Sequence, residues 1–266
     1  MSSNQKDNCE HDGIKLVEKI PGDLVGTKEI KLKVKSYAGY ASKNGNNLFC
    51  WFFEAQKCLE PDKAGDFPLL IWLNGGPGAS SMAGCLLENS PYLIQANEAG
   101  TVAENPYAWN KETHIMYWDN PVDSEDELSD QFYEALQVFF KTFPVYRSCP
   151  LFITGESYGG KYIPAISEKI MERNQELRDK KDEAKIINLK GLAIGNPWMD
   201  PVLQTKMRLE VGFSLGFLDT KQYNTLIDQY NLLPELVNKQ LWREAFDLNQ
   251  KVKNELIACG GGHRYL

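Results

Sequence analysis

Gly155-Glu156-Ser157-Tyr158-Gly159 fits the pattern G-x-S-x-G, in which a serine hydroxyl serves as a nucleophile on a sharp strand-to-helix turn. Alone the pattern is weak, since chance supplies it in roughly one chain in ten of this length. Its setting strengthens it. An apolar run at 151–154 reads as a strand, and a helical stretch to about Arg173 follows. The flanking glycines let the chain turn without a Cβ to clash, and the start of the helix faces developing negative charge. An ordinary strand–turn–helix junction with a capping serine fits the same string. Asn74-Gly75-Gly76-Pro77-Gly78 is the second signal. Adjacent glycines let backbone N–H groups approach a ligand closely. One N–H from this loop and one from Tyr158 would make an oxyanion hole, and a plain Gly-Pro turn is the alternative.

The elements that must position these groups alternate in type. Residues 69–73 are a continuous apolar run, as expected of a strand buried on both faces. Residues 30–34, 48–53, 114–118 and 186–194 also read as strands, with turn chemistry at 44–47. Ser80 or Ser81 could cap a helix reaching about Glu88. Leu128, Phe132, Leu136, Phe139 and Phe143 recur at helical spacing, predicting an amphipathic helix over 127–143. Residues 174–185 are charged and read as a solvated loop. Helical patterns follow at 202–215, 220–230 and 234–257. Strands alternating with helices predict an α/β fold with a mostly parallel central sheet, flanking helices and a helical C-terminal part.

Composition narrows the function. The 266 residues carry a net charge of −7, which argues against nucleic acid or an anionic membrane as partner. No apolar run approaches the length of a membrane span. The polar N-terminus lacks a signal-peptide core, and the chain has no Asn-X-Ser/Thr acceptor. The six cysteines form no metal-like spacing and the histidines are scattered at His11, His114 and His263, so a zinc site has little to build on.

Taken together, the motifs resemble the serine carboxypeptidases. The resemblance rests on residues 72–81 with Glu88, on 155–164, and on supporting blocks at Gly39-Tyr40, 49–54, 105–110, 119–122 and 191–200. Each block is only moderately specific, but their order together is highly specific. The resemblance implies an α/β-hydrolase fold and removal of a peptide's C-terminal residue through an acyl-enzyme on Ser157. It implies Gly76 and Tyr158 as oxyanion donors. It also implies that Asn74, Glu88 and Glu156 bind the substrate's free carboxylate, helped by Gly75 and packed against Trp72. Ala83 and Leu87 would line part of the pocket for the last substrate residue. No cofactor or metal is implied, and the location would be a lysosome, a vacuole or a secretion. Glu88 and Glu156 would share a proton, because a carboxylate ligand cannot sit beside two ionised carboxylates. Substrate binding would then favour acidic pH.

The chain also departs from that family. An α/β-hydrolase triad runs Ser, then Asp or Glu, then His. None of Asp179, Asp182, Asp200, Asp219, Asp228 or Asp247 sits at a predicted strand end, and His263 lies in a Gly-rich tail. The family's last strands are therefore expected to be missing, and a second chain carrying Asp and His would complete the site. A non-catalytic binder of peptide carboxylates and a related acyltransferase are the other readings. Where the family has a Gly-x-Gly-aromatic-Ser stretch near the active site, 123–127 is Asp-Ser-Glu-Asp-Glu, and Ala79 replaces a usual Cys. The expected organisation is a polar leader at 1–29, a partial α/β-hydrolase core at 30–200, a helical cap region at 201–257 and a flexible tail at 258–266.

Overall fold

The computed structural model describes residues 13–22, 29–121 and 124–261. The strands are β1 (Ile14–Pro21), β2 (Glu29–Lys43), β3 (Asn46–Phe53), β4 (Leu69–Leu73), β5 (Tyr92–Ile94), β6 (Val102–Glu104), β7 (His114–Trp118), β8 (Leu151–Glu156) and β9 (Leu189–Gly195). Seven form one sheet in the order β1-β2-β3-β7-β4-β8-β9, and β5 pairs with β6 apart from it. β1, β2, β3 and β7 pair antiparallel in succession. β7, β4, β8 and β9 are parallel, and this part carries the site.

Alternation along the strands divides the core. Ile71, Leu73, Met116, Trp118 and Ile153 pack with Phe132, Leu136 and Phe139 of α2 (Glu125–Thr142) and Ile163, Ile166 and Ile170 of α3 (Gly159–Asp179). Trp72, Ile115, Tyr117 and Phe53 face the other way, against Cys85 and Tyr92. β4 and β7 are buried almost throughout. β9 differs: it is the last strand of the sheet, and Lys190, Leu192, Ala193 and Gly195 are exposed.

Several elements differ from the sequence reading. β1 occupies part of the expected polar leader. Its apolar residues do not alternate strictly, because the pairing with β2 shifts between Val17 and Lys19, yet Ile14 and Ile20 are buried. β2 runs well beyond 30–34, and its turn into β3 places Asn44 and Gly45 at positive φ. The helix expected up to Glu88 is one turn, α1 (Met82–Gly84), running into a wider π-turn at Cys85–Asn89. Ser81 stands at its N-cap without a side-chain capping bond. α3 continues to Asp179, through half of the expected loop. Buried Asn174 explains this: its Nδ2 donates to Ile187 O (2.8 Å), and its Oδ1 accepts from the Ile187 N–H (2.9 Å). That pair ties the helix to the approach to β9.

The described chain divides into two compact units after Pro197. The second unit contains α4 (Pro201–Ser214), α5 (Thr220–Tyr230), α6 (Leu233–Asn238) and α7 (Trp242–Cys259). The predicted helix at 234–257 is thus two helices, separated where Gln240 takes a φ of 57°. Leu209, Leu226, Tyr230, Leu233, Val252 and Leu256 form its core. Ala258 and Cys259, expected in a tail, close α7. The five described cysteines are free thiols. Among the described residues no helix is long and apolar enough to cross a membrane.

Candidate active site

Ser157 sits between the end of β8 and the start of α3 with φ of 55°. That is the left-handed region, which costs a non-glycine residue about 1 kcal/mol or more. The surroundings hold it there. Its N–H donates to Gly195 O at the end of β9 (3.1 Å), and its carbonyl accepts from the Gly160 N–H (3.0 Å). Two glycines make the turn sterically possible. A Cβ on Gly155 would overlap the Leu73 carbonyl oxygen, and one on Gly75 would stand 2.8 Å from Ser157 Cβ. The β4–α1 loop and the serine turn therefore touch backbone to backbone.

That loop adopts conformations only glycine takes easily, with Gly76 at φ 110° and Gly78 at φ 85°. The Gly78 N–H donates to the Tyr162 hydroxyl oxygen on α3 (3.3 Å), linking the loop to the helix that begins behind Ser157. Tyr162 packs edge-on against Tyr158. Among the described residues, the N–H groups of Gly76 and Tyr158 have no hydrogen-bond partner. They are two donors left open beside a half-buried serine.

The other side of the site is built from side chains. The register pairs Tyr117 with Trp72 and Trp72 with Thr154. Two residues further along the same strands lie Asp119, Asn74 and Glu156, a row at the carboxyl ends of β7, β4 and β8. Asn74 is buried. Its Oδ1 accepts from Trp72 Nε1 (2.9 Å) and from the Gly84 N–H (3.0 Å). With the oxygen saturated by two donors, its Nδ2 must turn the opposite way. It donates to Glu88 Oε1 (3.3 Å) and Glu156 Oε1 (3.1 Å). Gly84 permits this, since a Cβ there would overlap Trp72 Nε1 and stand 2.7 Å from Asn74 Oδ1. Glu88 lies on the π-turn, a distortion frequent at functional sites. Burial pushes its carboxyl above the ordinary value and Glu156 adds to the shift, while the Asn74 hydrogen bond opposes it.

Trp72, Asn74, Gly75, Glu88, Glu156 and Ser157 thus come together at one end of the parallel strands, with the Gly76 and Tyr158 N–H groups beside the serine. Leu87 is exposed and Ala83 half-buried on the same short helical segment. His114 is elsewhere. It begins β7, aligned with Leu69 and through it with Leu151, about 20 Å along the strands from Ser157. It is fully buried; its Nδ1 accepts from the Ala55 N–H (2.9 Å), and its Nε2 lies 3.0 Å from Ala64 O. Burial lowers its pKa, and with Nδ1 accepting the Ala55 N–H the ring is the neutral form of a packed histidine. His11 and His263 lie outside the described residues. Asp200 and Asp219 cap α4 and α5.

Three contributors escaped the sequence reading. Gly84 was readable as a glycine inside a helical stretch. Tyr162 and Asp119 fall within the blocks of the family resemblance, but nothing in the sequence assigned them a role, since each acts on residues far away in the chain. Glu125 falls within the acidic stretch already noted, and its Oε1 accepts from the Tyr158 hydroxyl (3.4 Å).

Comparison with known proteins identifies the family and the fold. The serine carboxypeptidase family profile matches residues 26–259. The venom serine carboxypeptidase of Apis mellifera is 39% identical over 245 residues, covering 85% of this chain and 49% of that protein. A probable serine carboxypeptidase of Homo sapiens, CPVL, is 37% identical over 238 residues, covering 83% and 47%. Among solved structures, Kex1(Δ)p, a prohormone-processing carboxypeptidase from Saccharomyces cerevisiae, superposes with a TM-score of 0.73 at 25% identity, covering 85% of this chain and 53% of that one. The chain spans about half the length of the curated relatives it matches. The α/β-hydrolase fold is shared with that structure, and the chain belongs to the serine carboxypeptidase family.

Proposed function

We propose that this chain carries the nucleophile and substrate-binding half of a serine-type carboxypeptidase site acting on peptides with a free C-terminal carboxylate. The observation that carries this reading is the Asn74 amide, held by Trp72 and Gly84 so that it presents Nδ2 to Glu88 and Glu156. With one proton shared between them, the protonated glutamate donates to the substrate's carboxylate. The raised Glu88 pKa is in keeping with that. Binding would then favour acidic pH, and the lysosomal, vacuolar or secreted setting implied by the family is the setting we read for this chain.

In the reaction, Ser157 Oγ attacks the last peptide carbonyl carbon and the Gly76 and Tyr158 N–H groups stabilise the oxyanion. The C–N bond breaks, and the departing amine takes the proton the serine gave to a general base. Water then releases the acyl group by the reverse proton path. Among the described residues no imidazole reaches Ser157, and the base would come from an Asp and His outside them, on this polypeptide or on a second one. No cofactor or metal enters this scheme.

The seclusion of His114 favours a second reading for the chain by itself, binding without turnover. A fluorophosphonate probe separates the two. Labelling of the isolated chain that disappears in Ser157→Ala supports turnover. No labelling, together with calorimetric binding of a blocked dipeptide that is clearly tighter than that of its amide, supports the binder. Failure to bind either peptide refutes the carboxylate site.

A further inference from the structure

Asp119 lies in the same row as Asn74 and Glu156, yet its side chain hydrogen-bonds elsewhere. Its Oδ1 accepts from Ser80 Oγ (2.7 Å) and from the Ser81 N–H (2.9 Å). Its own N–H donates to Phe49 O on β3 (3.0 Å), so the anchor stands on the sheet and not on the loop. The two serines pass the constraint on. Ser80 Oγ accepts from the Met82 N–H (3.1 Å), the first residue of α1, and Ser81 Oγ accepts from the Asn74 N–H (3.2 Å). α1 then delivers the Gly84 N–H to Asn74 Oδ1 and, one turn on, the Glu88 carboxylate to Asn74 Nδ2. α1 is only three residues long and has no side-chain cap of its own. A segment that short does not hold its own orientation, so something outside it must.

We infer that Asp119 is a positioning residue for the carboxylate-binding side of the site, setting where α1 begins and thereby where Gly84 and Glu88 meet Asn74. The inference rests on the proposed carboxylate site and adds the residue that aims it. The nucleophile side has its own ties, through Gly195, Gly160 and Tyr162. The inference therefore separates two effects. Loss of Asp119 should impair recognition of the substrate's terminus and leave the rest of the peptide's contacts as they are.

The test uses the full chain, an N-blocked dipeptide with a free C-terminal carboxylate and the same dipeptide amidated, with both affinities measured by calorimetry at acidic pH. Asp119→Ala is expected to weaken the carboxylate peptide about tenfold, the scale of one or two hydrogen bonds, and to leave the amide unchanged. Asp119→Asn keeps an acceptor oxygen and is expected to stay within about twofold of the unsubstituted chain. A thermal melt shows whether each variant folds. Should Asp119→Ala not fold, Ser80→Ala removes one donor from an exposed position and is expected to cost the carboxylate peptide about threefold. Equal losses for both peptides, or no loss in folded Asp119→Ala or Ser80→Ala, overturn the inference. An unsubstituted chain that does not prefer the carboxylate peptide refutes the underlying site, and the inference falls with it.

Discussion

The two sides of the site are made in different ways. Around Ser157, backbone does the positioning: a positive φ, two glycines in contact with neighbouring main chain, and a pair of open N–H groups. Around Asn74, side chains do it: an indole, an amide and two carboxylates, assembled by hydrogen bonds of ordinary length. Backbone geometry of the first kind tolerates almost no change, because a Cβ either fits or overlaps. A hydrogen-bonded cluster of the second kind should weaken by degrees as members are removed. The contrast also fits the roles proposed for each side: an oxyanion would need donors fixed before it forms, whereas a carboxylate site would exchange a proton.

Gly155→Ala should be the most damaging change, since the added methyl overlaps the Leu73 carbonyl in the buried sheet. A loss of about 3 kcal/mol or more in urea unfolding is expected. Near-native stability would show that the backbone side is less rigid than its geometry implies. Asn74→Leu comes next. It strands Trp72 Nε1 and the Gly84 N–H without an acceptor, at about 2 kcal/mol, and should abolish the preference for a free carboxylate over an amide. Persistence of that preference would remove Asn74 from the site.

The pH dependence is a finer probe. Glu88 stands above its ordinary pKa through burial and the neighbouring Glu156. Binding that needs its proton is complete at low pH and falls as pH rises through that raised value. Glu88→Gln should flatten the fall in calorimetric titrations, and an unchanged profile in that variant would separate proton sharing from the site. The smallest effect belongs to Thr154→Val. It deletes the buried bond from Thr154 Oγ1 to Ile71 O (2.7 Å) behind the nucleophile strand. About 1 kcal/mol of stability should go, with the carboxylate preference intact.

The backbone side was legible in the sequence because its signals are local. Gly155, Ser157 and the Gly75-Gly76 pair announce a turn wherever they fall in a fold. The strand at 69–73 was readable from composition, and the strand at 114–118 from its apolar run. The carboxylate side was not legible without the family resemblance, for Asn74 meets Glu88 fourteen positions away and Glu156 eighty-two away. The register of β4 and β8 brings Glu156 to Asn74, and the short helix and π-turn after β4 bring Glu88. The register of β7 with β4 places His114 at the far end, which no spacing in the chain could reveal. The errors have local causes too. β1 hides behind a register shift, and α3 outruns its apolar stripe because a single buried asparagine anchors a charged stretch.

The position of β9 has a consequence for handling the protein. Its outer edge carries backbone groups that no strand of the described chain pairs, and its Leu192 side chain is 45% exposed. Sheets with open edges of this kind recruit further strands, from whatever chain is nearest. At high concentration the nearest chain is another copy, so recovery in soluble form should depend on concentration; Lys190 already places one charge on that strand, and a second at Leu192 would be the first remedy to try.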